Sequence, residues 1–192
     1  MHEFVIVLVC LAAVLIFWSV GVHNRLIRLR NAISMAHGLL DTQLKRRYAL
    51  VAQWVTASQG YFSDAAALLE STTAASIQAS TAADALRGAP ASAAAMRALA
   101  LAELVLKDAL SAAQERLNAD TLQAAYLAVD QSLRDCGADL AATGMALDFA
   151  RDAYNQAVES YNAAITQFPA SVLAKITGRK HAAVWISAST SN

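Results

Sequence analysis

The apolar and polar positions divide the chain into an uncharged apolar run followed by a long helical remainder. Residues 4–22 carry no charged side chain and are almost all apolar. At a rise of about 1.5 Å per residue, a helix over this run is about 28 Å long, close to the thickness of a bilayer's hydrocarbon core. The pattern predicts an N-terminal transmembrane helix over residues 1–23. The residues assigned to this anchor are Phe4, Leu8, Leu11, Leu15, Trp18 and Val22.

Two other interpretations of the run are weaker. A cleaved signal peptide would carry a basic segment before the apolar run, and this chain has none there. A lipoprotein would be modified at Cys10, but bulky Leu8 and Val9 precede that cysteine where small residues are wanted. An uncleaved anchor is therefore favoured, with cleavage near Ser19 and Gly21 as the remaining alternative.

Basic residues next to the span predict its orientation. No Lys or Arg precedes the run, whereas Arg25, Arg28 and Arg30 follow it closely. By the positive-inside rule, the N-terminus lies outside and the bulk of the chain lies in the cytoplasm. The same arginines are placed to contact anionic headgroups, although a topology signal alone is the favoured interpretation.

Helical periodicity continues after the anchor. Apolar residues recur at intervals of eleven, which indicates a nearly straight seam along a helix. Because no proline interrupts residues 24–89, the pattern predicts one long helix there. Gly88 and Pro90 then predict a turn, with the glycine as C-cap and the proline early in the next helix. The apolar seam of the first helix consists of Leu26, Ile33, Leu40, Leu44, Val51, Val55 and Phe62, with Tyr48 beside it.

Two further helices and a short one complete the prediction. The second helix has Met96, Leu99, Leu106, Leu110, Ala113 and Leu117 on one face. The third has a strict heptad of Tyr126, Leu133, Leu140, Leu147, Tyr154 and Tyr161, with Leu122, Val129 and Cys136 beside it, which is typical of coiled-coil packing. The expected fold is all-α: the transmembrane helix, then an elongated antiparallel bundle of three long helices plus a short C-terminal one over residues 24–178. Residues 179–192 are expected to form a C-terminal tail that is disordered beyond Trp185.

The composition agrees with a helical fold, and the residue pattern argues against several classes of binding and catalytic function. The chain has 7 Gly, 2 Pro, and 15 basic against 15 acidic residues, so no bulk charge favours nucleic acid as a partner. The four histidines are never spaced as metal ligands, His37 and Cys136 lie on apolar stripes as core residues, and no nucleotide-binding or hydrolase motif occurs. The sequence therefore predicts no catalytic residue, no metal, no cofactor and no enzyme activity.

A basic cluster in the first helix is the first candidate contact surface. Asp41 and Lys45 have the spacing of a helical ion pair, and Lys45, Arg46 and Arg47 cover a broad arc of the helix. A solvated basic face is the plainer interpretation. The residues predicted to contact a partner are Asp41, Lys45, Arg46, Arg47, Tyr48 and Trp54.

A repeated Tyr-Asn pair is the second constellation. Tyr154 and Asn155 recur seven residues later as Tyr161 and Asn162. The tyrosines belong to the heptad seam, and the asparagines lie beside it, where an amide can fix register by hydrogen bonding across helices. We expect a role in bundle register rather than in ligand binding.

These segments resemble the LemA family. The matching stretches are NRLIRLRNAI from Asn24, DTQLKRRY from Asp41, and YNQAVESYNAAITQFP from Tyr154, in the expected order. The resemblance implies a bacterial, membrane-anchored, antiparallel helical bundle and no settled biochemical activity. One departure follows the KRR motif, where family members have an IPNLV-like run and this chain has LVAQWV, with Trp54 as a different anchor.

The sequence thus favours a non-enzymatic, single-pass scaffold or adaptor in the bacterial inner membrane. Its partners would be membrane lipid at the N-terminal helix, an unknown protein, and a second copy of itself. The alternative is a membrane-organising or membrane-remodelling protein that binds anionic lipid through its basic helix.

Overall fold

The computed structural model describes residues 2–61, 66–90, 92–119, 131–168, 170–178 and 180–185. Within these ranges the chain forms helices and no strand, as the all-α prediction requires. The helices are α1 (His2–Ser58), α2 (Ala66–Gly88), α3 (Ala93–Ala119), α4 (Gln131–Thr166) and α5 (Ala170–Ile176), with a short 3₁₀ turn at Gln59–Tyr61.

The apolar run and the start of the bundle form one continuous helix. α1 passes from the anchor to Ser58 without a break, and its apolar N-terminal window is unburied by the rest of the chain. By length and composition this is the one candidate membrane span in the described residues. Both the exposure of the run and its hydropathy fit the prediction of an anchor.

Beyond the anchor, α1 packs chiefly against α4, and α2 packs chiefly against α3. Three contacts show that α1 and α4 are antiparallel. The Trp18 and Phe168 rings lie 6.1 Å apart, the His37 and Tyr154 rings 6.4 Å apart, and Cys136 Sγ lies 3.5 Å from the carbonyl oxygen of Leu50. As α1 moves away from the anchor, α4 therefore returns towards it.

The prediction of one helix over residues 24–89 is wrong. α1 ends at Ser58, whose hydroxyl donates to the carbonyl of Trp54, and the chain reverses before α2 begins at Ala66. A continuous helix would leave the small-residue face of α2 in water, whereas the reversal packs that face on α1 and α3. The buried residues of α2 are Leu69, Thr72, Ala75, Ala79, Ala83 and Leu86.

The predicted turn near Pro90 is present, but its caps differ from the prediction. Gly88 is the last helical residue of α2, and Pro90 lies in the turn before α3 begins at Ala93. The cap is Ser92, whose hydroxyl oxygen accepts the Ala95 N–H at 3.2 Å. The left-handed glycine is Gly178, with φ of 64°, which follows α5 and turns the chain back over the bundle.

The predicted apolar faces form the core. Leu26, Ile33, Leu40, Leu44, Val51 and Val55 of α1 are buried, and so are all six residues predicted for α3. The heptad of α4 is buried from Leu133 to Tyr161, and Cys136 is partly buried. Phe62, Leu122, Tyr126 and Val129 lie outside the described residues.

Candidate functional site

The basic cluster of α1 is divided between two sides of the helix. Lys45 and Arg46 are exposed, whereas Arg47 and Tyr48 are largely buried and turn towards α3. Successive residues of a helix point about 100° apart, so four consecutive residues cannot all face one partner. Within the basic cluster, the predicted contact surface is therefore reduced to Lys45 and Arg46, here called the outer residues.

Arg47, Tyr48 and Glu103 form an inner polar cluster at the centre of the bundle. The Tyr48 hydroxyl donates to Glu103 Oε1 at 2.7 Å, and Arg47 Nε lies 3.6 Å from Glu103 Oε2. Burial raises the pKa of Glu103 despite the charge of Arg47 and the Tyr48 hydrogen bond. Burial and the Glu103 charge likewise raise the pKa of Tyr48. This cluster ties α1 to α3 at one register.

A cavity of about 330 Å³ opens beside this inner cluster. Its walls include Glu103 and Lys107 of α3, Arg151 of α4, and Trp185 near the C-terminus. Arg151 pairs with Asp148 at 3.1 Å. The charged groups around the cavity thus pair largely with one another, and none is a nucleophile poised beside a base.

Asp41 of the predicted contact set joins α1 to the end of α2. Its carboxylate lies 2.9 Å from Lys45 Nζ, as the spacing predicts, and 2.7 Å from Arg87 Nη2 at the end of α2. Burial opposes its ionisation, but the hydrogen bonds from Arg87 and Lys45 outweigh that effect and lower the pKa of Asp41. Nearby His37 is buried against Tyr154, and burial lowers the pKa of its imidazole. These groups stabilise packing between helices.

Trp54 is wrongly predicted as a partner contact. Its side chain is only 2% exposed and packs in the core between α1, α2, α3 and the start of α4. The indole takes a core position because Trp54 follows Val51 by three residues on the same helical face. A surface role for this residue is therefore excluded.

The asparagines of the Tyr-Asn repeat bind a different partner from the one expected. Asn162 Nδ2 donates to the carbonyl of Ala182, and its Oδ1 accepts the Ala182 N–H, both at 2.9 Å. Asn155 holds Trp185 in the same way, at 2.9 and 2.7 Å. The prediction of hydrogen bonds between helices is wrong for these asparagines. They bind the backbone of residues 180–185, here called the C-terminal strap.

The four hydrogen bonds from Asn155 and Asn162 to the strap are here called the clamp. Two matching spacings explain why both asparagines reach the strap. Seven residues of helix rise about 10.5 Å, and three residues of extended chain span about 10 Å. Asn155 and Asn162 therefore match Trp185 and Ala182 along the strap. Tyr154 Oη adds contacts at 3.2 Å to the carbonyl of Ala183 and 3.3 Å to that of Pro90.

The prediction that the bundle ends at residue 178 is wrong for the strap. Ala182 and Trp185 are buried, at 7% and 6% exposure, because Gly178 returns the chain to α4. Residues 186–192 lie outside the described part of the chain. The sequence did carry a signal for this packing, since Trp185 belongs to an apolar run, AAVWI, between polar residues.

Glu103 is the other functional residue that the sequence analysis missed. It lies four residues after Leu99 and three before Leu106, at a core position of α3. A carboxylate in an apolar helical stripe needs a buried donor, so this periodicity could have identified the inner polar cluster.

The apolar run and the arginines after it are exposed. Phe4, Leu8, Leu11 and Leu15 are more than half exposed, Trp18 is 42% exposed beside Phe168, and Val22 is partly buried where the bundle begins. Arg25, Arg28 and Arg30 are exposed on the next turns of α1. Among the residues that the structure describes, no group of three His, Cys, Asp or Glu side chains could hold a metal ion.

Comparison with known families identifies most of the chain. The LemA family matches residues 36–192, which include α2 to α5 and the strap. No curated protein matches the chain.

Proposed function

The chain belongs to the LemA family, and on that premise we propose that it is a membrane-anchored, non-enzymatic scaffold or adaptor. It acts through protein contacts on the outer surface of its helices. Its anchor lies in a bacterial inner membrane as a single span, and Arg25, Arg28 and Arg30 keep the bundle in the cytoplasm.

The observation that carries this proposal is the division of the basic cluster. Arg47 and Tyr48 are engaged by Glu103, whereas Lys45 and Arg46 remain exposed. The inner residues hold the fold, and the outer residues are free to meet a partner. Arg46 is the better probe because Lys45 already pairs with Asp41.

The lipid-binding alternative for this cluster is less well supported. α1 is one continuous helix, so Lys45 lies about 35 Å beyond Val22 at 1.5 Å per residue. Contact with the same bilayer would need a strongly tilted helix. Anionic vesicles added to the full chain in nanodiscs test this alternative, since salt-sensitive capture that Arg46→Glu abolishes would support it over protein contact.

Crosslinking in intact membranes, followed by mass spectrometry, tests the proposal. Arg46→Glu is compared with Arg97→Glu, which makes the same charge change at an exposed site on α3. We expect Arg46→Glu to lose crosslinks to specific proteins or to a second copy, and Arg97→Glu to keep them. Equal crosslinking by the two variants, at equal helicity, would overturn the assignment of this surface.

A further inference from the structure

The short helix α5 has two different faces. Ala170 and Ala174 are buried against the bundle. On the opposite side, Val172 and Ile176 are 50% and 77% exposed, and Phe168, in the turn just before α5 and four residues before Val172, is 82% exposed. We call these three side chains the interfacial face. Large apolar groups at this spacing form a continuous stripe that the bundle leaves in contact with solvent.

This stripe lies at the level where the anchor leaves the membrane. Phe168 contacts Trp18, which belongs to the apolar run that ends at Val22. At the other end of the segment, Ala182 lines one cavity together with Arg30. The chain from Phe168 to Ala182 therefore lies beside about 18 Å of α1, from Trp18 to Arg30. That interval covers the boundary between hydrocarbon and headgroups.

The charge at this end of the molecule has one sign. The sequence contains no Asp or Glu in residues 4–40 or 160–192. The basic residues in those two stretches are Arg25, Arg28, Arg30, Lys175, Arg179 and Lys180. An apolar stripe flanked by cations alone complements an anionic membrane surface.

We propose that α5 is a second membrane contact, in which Phe168, Val172 and Ile176 insert into the interface of an anionic bilayer beside the anchor. The occupant of this face is the lipid of the leaflet through which α1 emerges. Because the anchor already holds α5 at the surface, insertion of three side chains requires no further association from solution. Two contacts on one bundle fix its tilt relative to the membrane, which a single helix cannot do. This inference is independent of the protein-contact function proposed above.

The test places an environment-sensitive NBD label on the full chain in nanodiscs that contain phosphatidylcholine and phosphatidylglycerol. Cys10 and Cys136 are first replaced by Ala, and the label is attached through Ile176→Cys. The matched control is Met145→Cys, a 70% exposed apolar residue on α4. From the pairing of Tyr154 with His37, Met145 lies about 36 Å beyond Val22.

We expect blue-shifted emission at Ile176 and severalfold stronger quenching by doxyl-labelled lipid there than at Met145. Val172→Cys should behave as Ile176→Cys does, provided that circular dichroism shows unchanged helicity. Equal quenching at the membrane-proximal and control sites would overturn the proposal. A blue shift without lipid quenching would also overturn it, because the face would then be covered by protein. Unchanged quenching in purely neutral nanodiscs would overturn the role of anionic lipid.

Discussion

Replacing either clamp asparagine by alanine should release the C-terminal strap from α4. Asn155 and Asn162 each make two hydrogen bonds to the strap, between 2.7 and 2.9 Å in length. Alanine keeps the helix, since its helix propensity is the highest of all residues. The substitution therefore removes the clamp without disturbing the element that carries it.

The favourable and unfavourable contributions to the free energy of docking the strap on α4 nearly cancel. Ordering the six residues of the strap costs about 6–12 kcal/mol at about 1–2 kcal/mol each. Burial of Trp185 removes roughly 150–250 Å² from water and contributes about 4–6 kcal/mol. Four hydrogen bonds at about 1 kcal/mol each contribute about 4 kcal/mol. Loss of two of these bonds, about 2 kcal/mol, shifts the opening equilibrium roughly 30-fold, since about 1.4 kcal/mol is tenfold.

Hydrogen exchange of the backbone amides in residues 180–185 measures this equilibrium. Because docking of the strap is nearly balanced, this shift leaves the strap largely undocked, and we expect Asn155→Ala and Asn162→Ala to lose protection at both ends of the strap. The control is Gln156→Ala, which removes an exposed amide side chain next to Asn155. Protection in either asparagine variant equal to that of the control would refute the clamp.

Two further predictions concern the core. Trp54→Ala should lower the free energy of unfolding by about 3–5 kcal/mol in urea titrations, whereas a loss under about 1 kcal/mol would place the indole at the surface. Because burial raises the pKa of Glu103, the folded state holds its proton more tightly than the unfolded state. Stability contributed by the protonated form is thus lost as pH rises from the ordinary value of 4.5 through the folded pKa. Glu103→Gln keeps an acceptor for Tyr48 and should gain stability relative to the native protein as pH rises above 4.5. Parallel stability profiles of the two proteins over this rise in pH would contradict the prediction.

Much of the fold could be predicted because local pattern determines it. The run that ends at Val22 is long and apolar enough to cross a membrane, and its length and composition are local properties of the sequence. The seams that contain Leu40, Leu106 and Leu147 identify the buried faces of α1, α3 and α4, since helical periodicity fixes which residues share a face. Pro90 marks a turn because proline cannot continue the preceding helix.

The reversal after Ser58 could not be predicted in the same way. Residues 59–61 contain Gly60 but no proline, so the local signal for a break is weak. What separates α1 from α2 is the gain from packing the small face of α2 on α1 and α3. That gain depends on residues far apart in the sequence, which periodicity within one helix does not reveal.

The sequence by itself thus determined the candidate membrane span, the all-α class, the family and the core faces of α1, α3 and α4. The tertiary structure alone decided which polar residues face inward and what they bind. Arg47 and Arg46 are adjacent in sequence and chemically alike, yet one faces Glu103 and the other faces solvent. Asn155 and Asn162 look like register residues until Gly178 brings the strap alongside α4. The physical reason is that a polar side chain's role is set by the donor or acceptor that packing places opposite it.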